Sequence, residues 1–170
     1  MSGFFSRLFG RKPVTAVEEQ EPVREELDER SIPTTATVLN QVFLDVTQKQ
    51  KGEYSILEIQ QFEQFLAKCP PLLIGQFDFQ AYEAGPHHGG WFAHVFIRNA
   101  VSVGDNLSLQ VIPLSLYDAL GEKLASHLFE LDMQPIKFGE ARLHTFYWPG
   151  ETSLKPSALA DLTTFRVDMV

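Results

Sequence analysis

Phe77-Asp78-Phe79-Gln80-Ala81-Tyr82 and Trp91-Phe92-Ala93-His94-Val95-Phe96-Ile97-Arg98 carry the period that decides the fold. Phe77, Phe79 and Ala81 alternate with Asp78, Gln80 and Tyr82. Trp91, Ala93, Val95 and Ile97 fall on one side of the second run, and Phe92, His94, Phe96 and Arg98 on the other. A period of two belongs to a strand, whose successive side chains point to opposite faces. Between the runs, Gly85-Pro86-His87-His88-Gly89-Gly90 supplies the residues of a turn. The two runs predict an antiparallel hairpin.

The same period continues toward the C-terminus. Gly104-Asp105-Asn106 is a turn, after which Leu107, Leu109 and Val111 alternate. The phase then slips to Ile112, Leu114 and Leu116, with Pro113 at the slip. Proline has no N–H for a ladder, so the slip predicts a bulge and Pro113 predicts a sheet edge. Residues 118–122 form a hairpin loop, 124–131 a return strand, and Ile136 and Phe138 a short apolar piece. Residues 142–148 form a strand that stops at Pro149-Gly150, and 162–169 add a last one.

Toward the N-terminus, residues 38–46 read as one strand and 48–52 as a polar turn. Ile56, Ile59, Phe62 and Phe65 recur at helical spacing with Leu66 beside them. They predict an amphipathic helix over 53–67, ended by Pro70-Pro71. The whole reads as a mainly β fold: an antiparallel immunoglobulin-like β-sandwich preceded by one amphipathic helix. Its expected core is Trp91, Val95, Ile97, Leu114, Leu116, Phe129 and Phe146.

The folded domain spans residues 35–170. Residues 1–34 read as a disordered, flexible tail: three prolines and a run of carboxylates prevent it from burying a face. At its tip, Phe4, Phe5, Leu8 and Phe9 lie among Arg7, Arg11 and Lys12. As a short helix these residues would suit an anionic membrane surface; the competing reading is a solvated tail with stray aromatics. The chain's 170 residues and 44% hydrophobic content suit one domain with a real core. A formal net charge of -8 argues against a nucleic-acid partner, which needs a basic face. One cysteine permits no internal disulfide, and neither a signal peptide nor a membrane-spanning run is visible. The expected compartment is the cytoplasm.

Candidate chemistry is sparse. His87, His88, His94 and His144 invite a zinc reading, since three histidines can hold the metal with an open fourth position. However, adjacent His87 and His88 point apart in an extended chain, and their spacing matches no zinc signature. Cys69 follows a helix C-terminus, which disfavours a thiolate, so a buried structural role is expected. Glu130 and Asp132 read as exposed strand-end charges instead of an acid/base pair. Arg142 opens an apolar strand and needs a partner, for which Asp118 and Asp132 are candidates, or it is plainly exposed. Asn99 is expected to bond locally to the turn that follows it.

The order of motifs resembles the SLAP domain. Val42-Phe43-Leu44-Asp45, a helix ending in Cys69-Pro70-Pro71-Leu72, and Gly75-Gln76-Phe77 resemble its opening. Gly90-Trp91 with Val95-Phe96-Ile97-Arg98-Asn99-Ala100 resembles its "GGW…FIRN" strand. Residues 112–125, Ile-Pro-Leu-Ser-Leu-Tyr-Asp-Ala-Leu-Gly-Glu-Lys-Leu-Ala, resemble its "PLxLxDxxGxxLA" hairpin. Leu128-Phe129-Glu130-Leu131-Asp132 and His144-Thr145-Phe146-Tyr147-Trp148-Pro149 resemble its closing strands. The resemblance covers residues 42–150. It departs at Glu140-Ala141-Arg142-Leu143, which keeps the Arg of the family's "SRPW" but not its Pro-Trp.

The resemblance implies a helper in export of S-layer proteins, beside a second SecA-type ATPase in an accessory Sec system of Gram-positive bacteria. It implies no enzymatic activity, no cofactor and no metal. The family's assembly protein carries the domain twice, whereas this chain has room for one copy. The implied partners are therefore a SecA-type ATPase or a two-domain SLAP protein, met at the inner face of the membrane. Edge pairing beside Pro113 would place partner contact along Leu107, Leu109 and the turn Gly104, Asp105 and Asn106. Two other readings stand beside this one: a small metal- or ligand-binding enzyme using the histidines, and a general membrane-peripheral scaffold.

Overall fold

The computed structural model describes residues 37–101 and 106–170. The predicted tail lies outside them, with its membrane-facing Phe4, Phe5, Arg7, Leu8, Phe9, Arg11 and Lys12. So do Gly104 and Asp105 of the predicted contact turn.

The hairpin read from the central runs is β4 (Phe77–His87) and β5 (Gly90–Asn99), paired antiparallel. The strand runs further than its sequence suggests: Gly85, Pro86 and His87 belong to β4, and only His88 and Gly89 make the turn. Both have positive φ, 46° and 79°, the geometry of a tight two-residue hairpin whose twist matches its strands. Gly90 is required for a different reason. A Cβ there would lie 2.0 Å from the Trp148 carbonyl oxygen on the neighbouring strand.

The first sheet has the order β2-β8-β5-β4, with β2 (Phe43–Leu44) and β8 (Glu140–Trp148) at its other end. Its pairs are antiparallel except β2 with β8, which is parallel. The second sheet has the order β7-β6-β9, built from β6 (Val111–Tyr117), β7 (Lys123–Glu130) and β9 (Arg166–Met169). The inner faces of the two sheets share one core, holding Trp91, Val95, Ile97, Leu114, Leu116 and Phe146 buried and Phe129 half-buried. Trp148 reaches across it, its indole N–H donating 3.2 Å to the Leu114 carbonyl. That bond satisfies a donor that would otherwise be stranded in an apolar interior.

A second core forms on the outer face of the first sheet. Helix α2 (Ile56–Lys68) lays Phe62 and Leu66 on Phe96, Ala141, Leu143 and Val42. Tyr54, Phe62, Phe65, Tyr82 and Phe96 meet there mostly edge to face, at 5.1–5.8 Å. Ile56, expected on the buried stripe, is exposed because it sits in the first turn, beyond the sheet.

Several expectations are corrected. Residues 38–46 are not one strand. β1 (Val38–Leu39) pairs with β3 (Leu72–Leu73) in a separate two-stranded sheet, while β2 serves the main one. Residues 48–52 are not a turn: α1 (Gln48–Glu53) starts there, with Thr47 and Gln50 in a reciprocal capping box. The phase slip at Pro113 marks no bulge. β6 begins only at Val111, and its bulge falls at Leu116/Tyr117.

Nor is β6 an edge; it is the central strand of its sheet. Proline is tolerated because its missing N–H falls past the last β6–β9 register pair, Leu114↔Met169. There the Pro113 carbonyl still accepts from Val170 N–H at 3.2 Å.

Candidate protein-binding site

The two sheets are closed along one side and open along the other. On the closed side, Leu154 N–H donates 2.7 Å to the Leu124 carbonyl, and Ser153 bridges Ala125. Beyond, Leu107 and Ile136 exchange both backbone bonds, at 2.8 and 2.9 Å, while Asn99 Nδ2 holds the Ile136 carbonyl at 2.9 Å. β2 covers the β8 edge, where Phe43 and Asp45 N–H groups each donate at 2.8 Å.

On the open side, β4 and β9 face each other as edge strands of different sheets. Some of their Cα atoms lie within 8 Å, yet no ladder joins them. Between them is a groove of about 450 Å³, lined by residues 77–81 and 165–169.

The direction of the free backbone groups follows from register. Ala100 N–H donates to the Gln76 carbonyl at 2.8 Å, which makes 76↔100 a hydrogen-bonded pair. Pairs alternate along an antiparallel ladder, so Asp78 and Gln80 bond to β5 while Phe77, Phe79 and Ala81 turn N–H and C=O toward the groove. On β9, the Val170–Pro113 bond places Arg166 and Asp168 toward β6 and Val167 and Met169 toward the groove.

The rest of β4 is blunted. Its register shifts at Tyr82 and it carries Pro86, both devices that spoil an edge for pairing. Side chains divide the groove by depth. Phe79, Ala81, Phe165 and Val167 pack on the inner core, whereas Asp78, Gln80, Arg166 and Asp168 face outward. The outer charges are internally matched, Asp78 with Arg98 at 2.5 Å and Arg166 with Asp168 at 2.6 Å.

A family model described as the SLAP domain matches residues 39–169. The chain belongs to the SLAP domain family. Searches of curated proteins and of solved structures return no match.

Within this SLAP domain, the motif residues hold the layers together. Arg98 is buried, donating to both Asp78 carboxylate oxygens and, at 2.8 Å, to the Pro70 carbonyl that follows α2. Arg142 pairs with neither Asp118 nor Asp132. It grips Asp45 and the Gln134 and Pro135 carbonyls, joining β8 to the segment after β2. Sequence could not rank Asp45 among acids because the pairing spans 97 residues. Asp118 accepts from Leu120 and Glu122 N–H groups and from Lys155, and the lysine pulls its carboxyl below the usual range. Lys155 also reaches Glu122, and the pair holds its ammonium pKa up.

The remaining candidates serve the fold or the surface. His87 and His88 are exposed in the hairpin, and His94 bonds Thr145 at 2.7 Å. Among the described residues, no three His, Cys, Asp or Glu side chains gather as metal ligands do. Cys69 is half-buried, its thiol donating to the Phe65 carbonyl at 3.4 Å, and burial pushes its pKa up. Asn99 does bond to the following turn, accepting from Val101 N–H at 2.8 Å.

Of the predicted contact residues, Asn106 is exposed. Leu107 and Leu109 pack partly into the core, and the Leu107 backbone is already paired. They line no free edge, because the strand read across 107–116 starts at Val111. Sequence reasoning missed the β4–β9 groove. Its visible signal was the proline at position 86, which reads as part of a turn in the sequence and lies on an edge strand in the structure. Among the described residues, no helix is long and apolar enough to cross a membrane.

Proposed function

We propose that this SLAP-domain protein is a non-catalytic accessory protein of protein export, assisting accessory-Sec-dependent secretion or assembly of S-layer proteins by binding other polypeptides. The observation that carries the reading is the open groove between β4 and β9, where two sheet edges offer backbone groups to a protein ligand. Family membership supplies the export context. The titratable motif residues favour a structural role over catalysis: Arg98, Asp118 and Arg142 are spent on clamping loops and layers. The working location is the cytoplasm, at the inner face of the membrane. There the basic, aromatic tip (Phe4, Phe5, Arg7, Leu8, Phe9, Arg11, Lys12) would add a weak, salt-sensitive attraction to anionic lipid, about 1 kcal/mol per basic residue. The test is retention of two purified proteins from the same cell, its SecA-type ATPase and its two-domain SLAP protein, on the immobilised full chain. The proposal expects at least one to be held; retention of neither overturns it.

A further inference from the structure

We infer that the outer face of the first sheet, beside the start of α2, holds an arginine of a partner polypeptide and, two positions along the same extended segment, an apolar residue. The inference rests on the protein-binding reading and adds a second surface with its own recognition chemistry. Next to Ser55, where α2 begins, a groove of about 260 Å³ lies between the helix and the sheet. Buried Phe62 is its floor, with Tyr54 and Tyr82 set edge to face on that ring at 5.1 and 5.3 Å. His94, bonded to Thr145, lies at the end toward the β4–β5 turn. Glu58 and Glu83 are exposed at the rim. Among the described residues neither carboxylate has a basic partner, whereas nearby Glu53 is matched by Lys49 at 3.8 Å. Hydrogen bonds with Ser55 hold the Glu58 carboxyl below its usual range, so it stays ionised.

Two unmatched carboxylates above aromatic rings suit a cation. A guanidinium suits them better than an ammonium: it is planar, stacks on rings, bonds carboxylates through a fork of donors and is more weakly hydrated. The described arginines are engaged elsewhere, Arg98 with Asp78, Arg142 with Asp45 and Arg166 with Asp168, so none of them fills the groove. The same carboxylates repel anionic lipid. Beyond His94 the outer face continues as an aromatic platform. The Phe92 ring is 5.3 Å from His94, and His87 is 4.8 Å from Tyr147, which is 52% exposed. A Cβ on Gly85 would lie 2.9 Å from the Phe92 ring, so the glycine lets that ring lie over β4. His94 and Phe92 are alternate residues of one strand, about 6.8 Å apart, the interval between residues i and i+2 of an extended segment. An arginine in the groove therefore sets the second residue along over the platform, where an apolar side chain loses contact with water.

Amide NMR on the full chain tests this, with the capped peptide Gly-Arg-Thr-Leu-Gly as the probe. Millimolar peptide should shift the amides of Glu83, Phe92, His94, Thr145 and Tyr147. Glu58→Gln combined with Glu83→Gln should weaken binding roughly fivefold in a still-folded protein, because glutamine at position 58 keeps the capping box. Glutamine in place of the peptide's arginine should weaken it at least as much. No shifts, shifts confined to other surfaces, or equal affinity in either substituted pair overturns the inference. Shifts of the same amides with protein concentration alone would assign the face to a second copy and overturn it as well. Export partners are absent from this measurement. Peptide binding without retention of those partners therefore removes the proposed function alone, and retention without peptide binding removes the arginine site alone.

Discussion

His144 shows how one residue ties the fold to pH. It lies half-buried on the inward side of β8, with its ring 4.7 Å from Phe146. Burial pushes its pKa below the ordinary value, because the charged imidazolium loses solvation there. The sign follows from proton counts. As pH falls below about 6.5, the unfolded chain binds a proton at this position while the folded chain does not. Stability at this site is therefore complete above that pH and declines as pH drops toward the folded pKa. Thermal unfolding between pH 7.5 and 5 should show a falling Tm, and His144→Phe should flatten that fall. An unchanged slope in the variant would assign it to other groups. The same scale shows what sequence could deliver. That Arg142 needs a partner if it is buried was legible from its apolar neighbours, but neither its burial nor the partner's identity was. Asp45 reaches it only because β2 runs parallel to β8.

At the scale of elements, the strongly periodic segments were legible and the short ones were not. β4, β5, β7 and β8 follow from period two, and α2 from its apolar stripe and the Pro70-Pro71 stop. α1 has no apolar stripe at all, so its only local signature was Thr47 with Gln50 three residues on, a capping box. Residues 38–46 misled for the opposite reason. A continuous apolar run looks like one strand, yet its halves pair with Leu72–Leu73 and with β8, and only those distant partners set the break. Pro113 misled because local chemistry says edge, while β9 arrives from far along the chain and its last register pair with β6 is Leu114↔Met169, one residue short of the proline.

α2 carries a prediction at this scale. Ser55 Oγ accepts from Glu58 N–H at 3.2 Å, and Glu58 answers at 2.7 Å, which also holds its carboxyl below the usual range. Ser55→Ala should cost about 1 kcal/mol in urea unfolding with an unchanged slope. No loss would mean that packing of Phe62 and Leu66 alone fixes the helix start.

At the scale of the molecule, the sandwich is asymmetric. Straps at residues 131–140 and 150–154 close one side, and the β4 and β9 edges face across the other. We propose that this open side is where the protein meets its polypeptide partners in export. Site-specific photo-crosslinking in the native cell tests that most directly. A photoreactive residue replaces Gln80 at the groove rim or, as a control, exposed Glu130 on β7. Adducts are expected from position 80 with an exported S-layer protein, the SecA-type ATPase or the two-domain SLAP protein, and none from position 130. The absence of adducts at position 80, or equal adducts at both positions, would contradict it.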